Sequence, residues 1–203
     1  MGKKESNPLP SKGIKKPKAP PAPPAFDSYS SPSLQLPSEC RSESCQGLSE
    51  VVMLIGNTGS GKTTLAKKYA EKEYVVVSAD GLRYSLGAGT CIFVPKYEKM
   101  VWKVVFIIFE DLLKLGVNVV IDATNLTKWY RKKYLNILQK YDYTKIALVL
   151  PKISKKESIN RRMNDPHGKE DRNVWEDIWT RFDLSYEEPT KEEGFDEIIY
   201  LAE

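Results

Sequence analysis

"EVVMLIGNTGSGKTT", residues 50 to 64, decides the fold. Residues 50–56 are an apolar run with the length of a buried strand. From Lys62 the apolar positions of "KTTLAKKYAEKE" (62–73) fall at helical spacing. Between the two lies G-x-x-x-x-G-K-T, carried by Gly56, Gly61, Lys62 and Thr63 with an extra glycine at Gly59. Glycines let the backbone wrap an anion and turn its N–H groups inward. The helix that follows presents its positive end to the same anion. A lysine at this place reaches the β- and γ-phosphates of a nucleotide, and the next hydroxyl is a Mg²⁺ ligand. The expected cradle for ATP with Mg²⁺ is therefore Gly56, Asn57, Thr58, Gly59, Ser60, Gly61, Lys62, Thr63 and Thr64, with Thr63 on the metal. The motif specifies the phosphate donor and is silent on the acceptor.

Outward from this stretch the chain alternates. "YVVVSAD" (74–80), "VNVVID" (117–122), "TKIALVL" (144–150) and "FDEIIYL" (195–201) read as strands. Residues 96–115, 127–141, 155–164 and 173–184 read as helices, the last with Trp175, Trp179 and Phe182 on one face, which reads as core in preference to a base-stacking platform. Strands that are apolar throughout and separated by helices imply an α/β fold. Its parallel sheet has about five strands and is covered by helices on both faces.

Ligands of such a sheet sit at the carboxyl ends of its strands. The phosphate cradle ends the first strand, Asp80 the second and Asp122 the third. Asp80 is either a turn residue or a carboxylate placed to take a proton from an acceptor hydroxyl. Asp122 either holds Mg²⁺ or its water, or serves as a cap or turn residue, a duty that Thr124, Asn125 and Thr127 could equally perform. The convergence suits phosphoryl transfer, in which a protein mainly positions groups and neutralises charge.

The rest of the chain adds context. It has 203 residues and a formal charge of +4. Nine of the thirteen prolines precede residue 40, and the first eighteen residues hold six lysines against one glutamate. Residues 1–46 are expected to be a disordered tail, because such a composition buries too little apolar surface to offset chain entropy. The tail could be solvated, contact phosphates through its lysines, act as a proline-motif ligand, or accept a myristoyl group at "MGKKES". Residues 47–203 are expected to form the catalytic domain. No apolar run is long enough to span a membrane, and the lysine-bearing N-terminus has no apolar core of a secretory signal. Cys40, Cys45 and Cys91 form no metal spacing, and their odd number fits a reducing, cytoplasmic setting. His167, beside Pro and Gly, is expected to be solvated. "KWYRKKY" and "KKYLNILQK" give a basic helix face with Tyr130 and Tyr134, which is either solvated or tracks a nucleic-acid backbone. "LGAGTCIFVP" (86–95) is placed to wall an acceptor site.

Three stretches taken together, "GNTGSGKTT", "VVVSADGLR" (75–83) and "VVIDATNLTKWYRKKY" (119–134), resemble the P-loop polynucleotide 5′-hydroxyl kinases, within a wider group of small AAA-type P-loop kinases. The ending "YEEPTKEEGFDEIIYL" (186–201) is similar to the tail of that kinase domain, so the resemblance covers about residues 50 to 201. It implies a P-loop kinase fold and ATP-dependent transfer of phosphate to a 5′-hydroxyl end of DNA or RNA. On that resemblance Asp80 is the general base and Arg83 contacts the acceptor's 3′-phosphate. Thr124 and Asn125 line the acceptor or phosphate side. Arg161 and Arg162 belong to a lid at about residues 155–172 and bridge the donor phosphates. The family's N-R-D is S-A-D here, and the lid has no clean spacing for a further arginine, a place that Lys169 or Arg172 could take. Two other readings follow from these departures: a kinase for a sugar, nucleotide-sugar or other small metabolite, and an ATPase or binding module switched by nucleotide.

Overall fold

The computed structural model describes residues 48–90, 93–165 and 170–202. The expected tail, Cys91, His167 and Lys169 lie outside the described residues. In chain order the elements are β1 (Glu50–Ile55), α1 (Lys62–Ala70), β2 (Val75–Val77), α2 (Ala79–Leu86), α3 (Pro95–Lys114) and β3 (Val119–Ile121). They continue with α4 (Lys128–Leu138), β4 (Thr144–Val149), α5 (Lys155–Met163), α6 (Arg172–Leu184), a 3-10 turn (Lys191–Glu193) and β5 (Glu197–Tyr200).

The five strands form one sheet in the order β2-β3-β1-β4-β5, every pair parallel. β1 lies at its centre, with Val51 opposite both Val119 and Lys145. Strand pleating divides β1 between two cores. Val51, Met53 and Ile55 pack with α3 and α4 through Val101, Val105, Phe109, Tyr134 and Leu138. Val52 and Leu54 pack on the other face with Ala66 of α1 and with Leu148. The five β1 side chains from Val51 to Ile55 are 1% exposed or less, which is why that stretch is apolar without alternation. The long α3 begins with Pro95 in its first turn and ends at Gly116, whose φ of 70° suits glycine. Among the described residues no helix is long and apolar enough to cross a membrane.

Three sequence expectations are corrected. The second strand stops at Val77, and Asp80 lies in the first turn of α2 rather than at a strand end. Ser78 caps that helix by accepting from the Gly81 N–H at 3.2 Å, and an acid in the first turn complements the helix dipole. Helix α6 has no fully buried residue, so Trp175 and Trp179 are half-buried rather than core. The basic face expected on α4 is narrower than its sequence suggests: Tyr134 is buried and Arg131 is completely so.

Arg131 ties the C-terminal segment to the rest of the fold. Its Nε and Nη2 donate to the two carboxylate oxygens of Glu193, each at 2.8 Å. Its Nη1 donates to the carbonyls of Asn125, Leu126 and Glu187. Glu193 also accepts from the Thr190 N–H at 3.0 Å, completing a capping box on the 3-10 turn.

Candidate active site

Asn57 to Gly61 join β1 to α1. The loop turns through left-handed backbone at Gly59 (φ 71°) and Gly61 (φ 97°), the latter capping α1. Lys62, only 7% exposed, curls back over the loop, and its Nζ donates to the carbonyls of Gly56 (2.9 Å) and Asn57 (2.7 Å). Burial lowers its pKa to about 8, against the pull of the neighbouring Asp122 carboxylate. A cation held this way costs desolvation until an anion joins it. A phosphate in the loop would supply that anion.

Asp122 follows β3, and its backbone N–H donates to the Val77 carbonyl at 2.9 Å. Burial raises its carboxyl above the ordinary range. The Thr63 hydroxyl, bonded to it, and Lys62 act in the opposite direction. The Thr63 hydroxyl and the Asp122 carboxylate are thus adjacent hard oxygen donors of the kind Mg²⁺ takes. The chemistry of this donor pair fits Mg²⁺, which Thr63 and Asp122 would hold.

Lys62 follows β1, Asp80 follows β2 and Asp122 follows β3, so the three lie at the carboxyl ends of adjacent parallel strands. The Asp80 side chain is 69% exposed. One of its oxygens accepts from Arg83 Nη1 at 2.6 Å. Arg83 itself is buried, with its Nε and Nη2 donating to the carboxylate of Glu98 on α3 and the ring of Phe93 5.6 Å away. Burial works to lower the pKa of this guanidinium, but Glu98 and Asp80 together outweigh it and raise it. Arg83 is therefore gripped between α2 and α3. Glu98, which the sequence did not single out, holds it.

Arg161 and Arg162 of α5 come down onto the phosphate loop. Arg161 Nη1 donates to the Gly59 carbonyl at 3.0 Å, and Arg162 Nε to Thr58 Oγ1 at 2.7 Å. Arg162 also stacks its guanidinium 5.0 Å from the ring centre of Trp175. Between them sits Ser158, fully buried, whose Oγ donates to the Thr58 carbonyl at 2.8 Å. Nothing in the sequence marked Ser158, because its role comes from the close approach of α5 to a glycine. A Cβ on Gly59 would lie 2.9 Å from Ser158 Oγ and 3.1 Å from Ser158 Cα. Gly59→Ala is expected to lose about 1–2 kcal/mol from left-handed strain alone, with the clash adding to it. The urea midpoint measures this, and an unchanged midpoint would contradict the contact.

Thr124 and Asn125 are placed differently from one another. The Thr124 carbonyl accepts from the Gly56 N–H at 3.1 Å, joining the loop after β3 to the start of the cradle. Asn125 is buried with φ 49°, and its side-chain amide donates to the Leu54 carbonyl at 2.8 Å. Its side chain braces β1 from within. Arg172 Nη2 reaches Asn160 at 3.4 Å, which links α6 to α5. An open cleft of about 730 Å³ adjoins the cradle, lined in part by Ser60, Pro151, Ser154, Arg161 and Trp179.

The parallel sheet, with its cradle at the end of the central strand, defines a nucleotide-binding protein of P-loop kinase fold. The chain belongs to the AAA domain family, whose model matches residues 51–189. Two solved structures of the Pnkp1/Rnl/Hen1 complex are similar to it. One is 24% identical with a TM-score of 0.57 over 70% of this chain and 46% of that one. The other is 26% identical with a TM-score of 0.50 over 58% and 40%. The chain thus spans less than half the length of those relatives. A fungal RNA kinase is 18% identical, with a TM-score of 0.51 over 77% of this chain and 76% of that one. Kti12 of Chaetomium thermophilum, solved with ADP-AlF3, is 15% identical, with a TM-score of 0.51 over 75% and 88%. No curated protein matches the chain.

Proposed function

We propose that this chain is an ATP- and Mg²⁺-dependent phosphotransferase that phosphorylates a 5′-hydroxyl end of DNA or RNA. The observation that carries the reading is that Lys62 and Thr63, Asp80 and Asp122 follow the adjacent parallel strands β1, β2 and β3 at one sheet end, with Arg161 and Arg162 reaching the phosphate loop from α5. A nucleotide switch needs a positioned water, whereas an exposed carboxylate beside the phosphate cradle suits an acceptor hydroxyl. The similarity to a fungal RNA kinase is in keeping with a nucleic-acid acceptor.

In this reading the loop N–H groups and Lys62 hold the β- and γ-phosphates. Asp80 takes the proton of the acceptor hydroxyl as its oxygen bonds to the γ-phosphorus and the bond to the β–γ bridging oxygen breaks, leaving ADP. Arg161 and Arg162 turn from loop oxygens to phosphate oxygens and stabilise the charge spread over the transferred group. Arg83, fixed by Glu98, faces the incoming acceptor beside Asp80. Mg²⁺ held by Thr63 and Asp122 would neutralise charge on the β- and γ-phosphates.

An acceptor panel across a salt series tests the reading. An oligonucleotide acceptor should show a KM that rises steeply with NaCl, because its phosphates are bound against released counterions. Efficient transfer to a neutral sugar, with no transfer to the oligonucleotide, would replace this reading by the small-metabolite one.

A further inference from the structure

We infer that the first two turns of α4 form a binding platform for single-stranded nucleic acid, built from Trp129, Tyr130 and Lys133. The inference rests on the proposed acceptor class and extends it to a surface outside the phosphate cradle. Trp129 is 61% exposed and Tyr130 43%, although both are large aromatic side chains on a well-packed helix. Their rings meet edge to face with centroids 4.8 Å apart. Lys133, one turn on, holds its ammonium 3.4 Å from the Trp129 ring centre and 5.2 Å from that of Tyr130. The helix carries Lys128, Lys132 and Lys133 and no acidic residue. The carboxylate of Glu187 adjoins its start, where it accepts the Lys128 backbone N–H at 2.7 Å. Exposed π-faces interleaved with cations suit a chain of stacked bases on phosphates. Every base offers a face to stack on, and the lysines follow the backbone. An acidic peptide would use the cations and leave the indole without a partner.

The platform is also connected to the proposed reaction centre. Glu98, which grips Arg83 beside Asp80, is four residues before Trp102 on α3, so the two share a helix face. Trp102 lies 6.3 Å from Tyr130, centroid to centroid. One face of α3 therefore meets Arg83 and Asp80 through Glu98 and, one turn on, Tyr130 and Trp129 through Trp102. A strand whose 5′ end sits at Asp80 would lay its following nucleotides along this face. Sequence reading saw a basic helix face here. It included Arg131 and Tyr134, which are buried, and passed over Trp129, which is the most exposed ring of the group.

The test uses the full chain and a fluorescently labelled 12-nucleotide single strand with a 5′-hydroxyl, read by anisotropy without ATP. Trp129→Ala should weaken binding about five- to 150-fold, the range for loss of one base–aromatic stack, and Trp129→Phe should restore most of it. Log affinity should fall with log salt at a slope of about −2 if the three lysines each meet a phosphate. Trp129 is on the surface, so its loss leaves the fold intact. Unchanged affinity in Trp129→Ala, or tighter binding of a duplex of the same sequence, overturns the platform. The transfer assay separates this from the proposed function. A wild-type chain that binds the strand through Trp129 but never phosphorylates it retains the platform and refutes the kinase reading. Transfer with the same KM in wild type and Trp129→Ala does the reverse.

Discussion

Asp80→Asn is expected to lower the rate of phosphoryl transfer by about 10²- to 10⁴-fold, the span that a positioned general base contributes. The substitution keeps the shape of the side chain and an oxygen that can still accept from Arg83 Nη1, which now bonds Asp80 at 2.6 Å. It removes only the ability to hold a proton at that atom. The side chain is 69% exposed, so no packing is lost and stability should stay within about 0.5 kcal/mol of wild type. Nucleotide binding depends on the loop and Lys62 and should be preserved. The decisive pattern is a fall in single-turnover rate at unchanged nucleotide affinity. Full activity in Asp80→Asn would return Asp80 to the role of a helix first-turn residue that merely complements the α2 dipole.

Arg131→Met is expected to destabilise the fold by about 3–5 kcal/mol, the usual cost of breaking a buried ion pair from one side. The partner left behind is Glu193, whose side chain is 11% exposed and already committed to the capping box. The carbonyls of Asn125, Leu126 and Glu187 lose a donor in the same step. For a domain of this size each kcal/mol is worth about 2–4 °C, so Tm should fall by roughly 6–20 °C. Lysine should not rescue the variant, because one ammonium cannot reproduce the bidentate fork on Glu193. Since Arg131 holds the carbonyls next to Asn125, and Asn125 braces β1 below the cradle, nucleotide affinity should weaken along with stability. A Tm within 2 °C of wild type, a shift worth about 1 kcal/mol or less, would show that this network is dispensable.

The sequence was most informative where chemistry constrains residues at fixed spacing. The loop between β1 and α1 could be read from its glycines and the strand and helix that flank it, since wrapping a phosphate would need those glycines, that lysine and that hydroxyl. The five strands could be read because a central parallel sheet leaves no polar face to confuse the pattern. Asp80 was found as a residue but misplaced as an element: the valines before it suggested a strand, while Ser78 and Asp80 together are a helix start. Other features depended on distances that no local pattern encodes. Ser158 matters because α5 meets Gly59, 99 residues earlier in the chain. Glu98 matters because α3 crosses α2 at Arg83. Arg131 was hidden in a run whose lysines are not buried, and only the folded C-terminal segment distinguishes it. Trp175 and Trp179 had the spacing of core residues, yet their helix rests on α5 and the cradle. There Trp175 faces Arg162, and the Trp179 carbonyl accepts from Asn57 Nδ2 at 3.2 Å.

The central claim is that a phosphoryl group passes from ATP to a 5′-hydroxyl under the control of Asp80. The direct measurement is transfer of label from γ-labelled ATP, with Mg²⁺, to a single-stranded oligonucleotide bearing either a 5′-hydroxyl or a 5′-phosphate, using wild type and Asp80→Asn. The account predicts label on the 5′-hydroxyl strand with wild type, none on the 5′-phosphate strand, and a drop of at least about a hundredfold with Asp80→Asn. ATP hydrolysis with no label on either strand, at the same rate in both proteins, would contradict it.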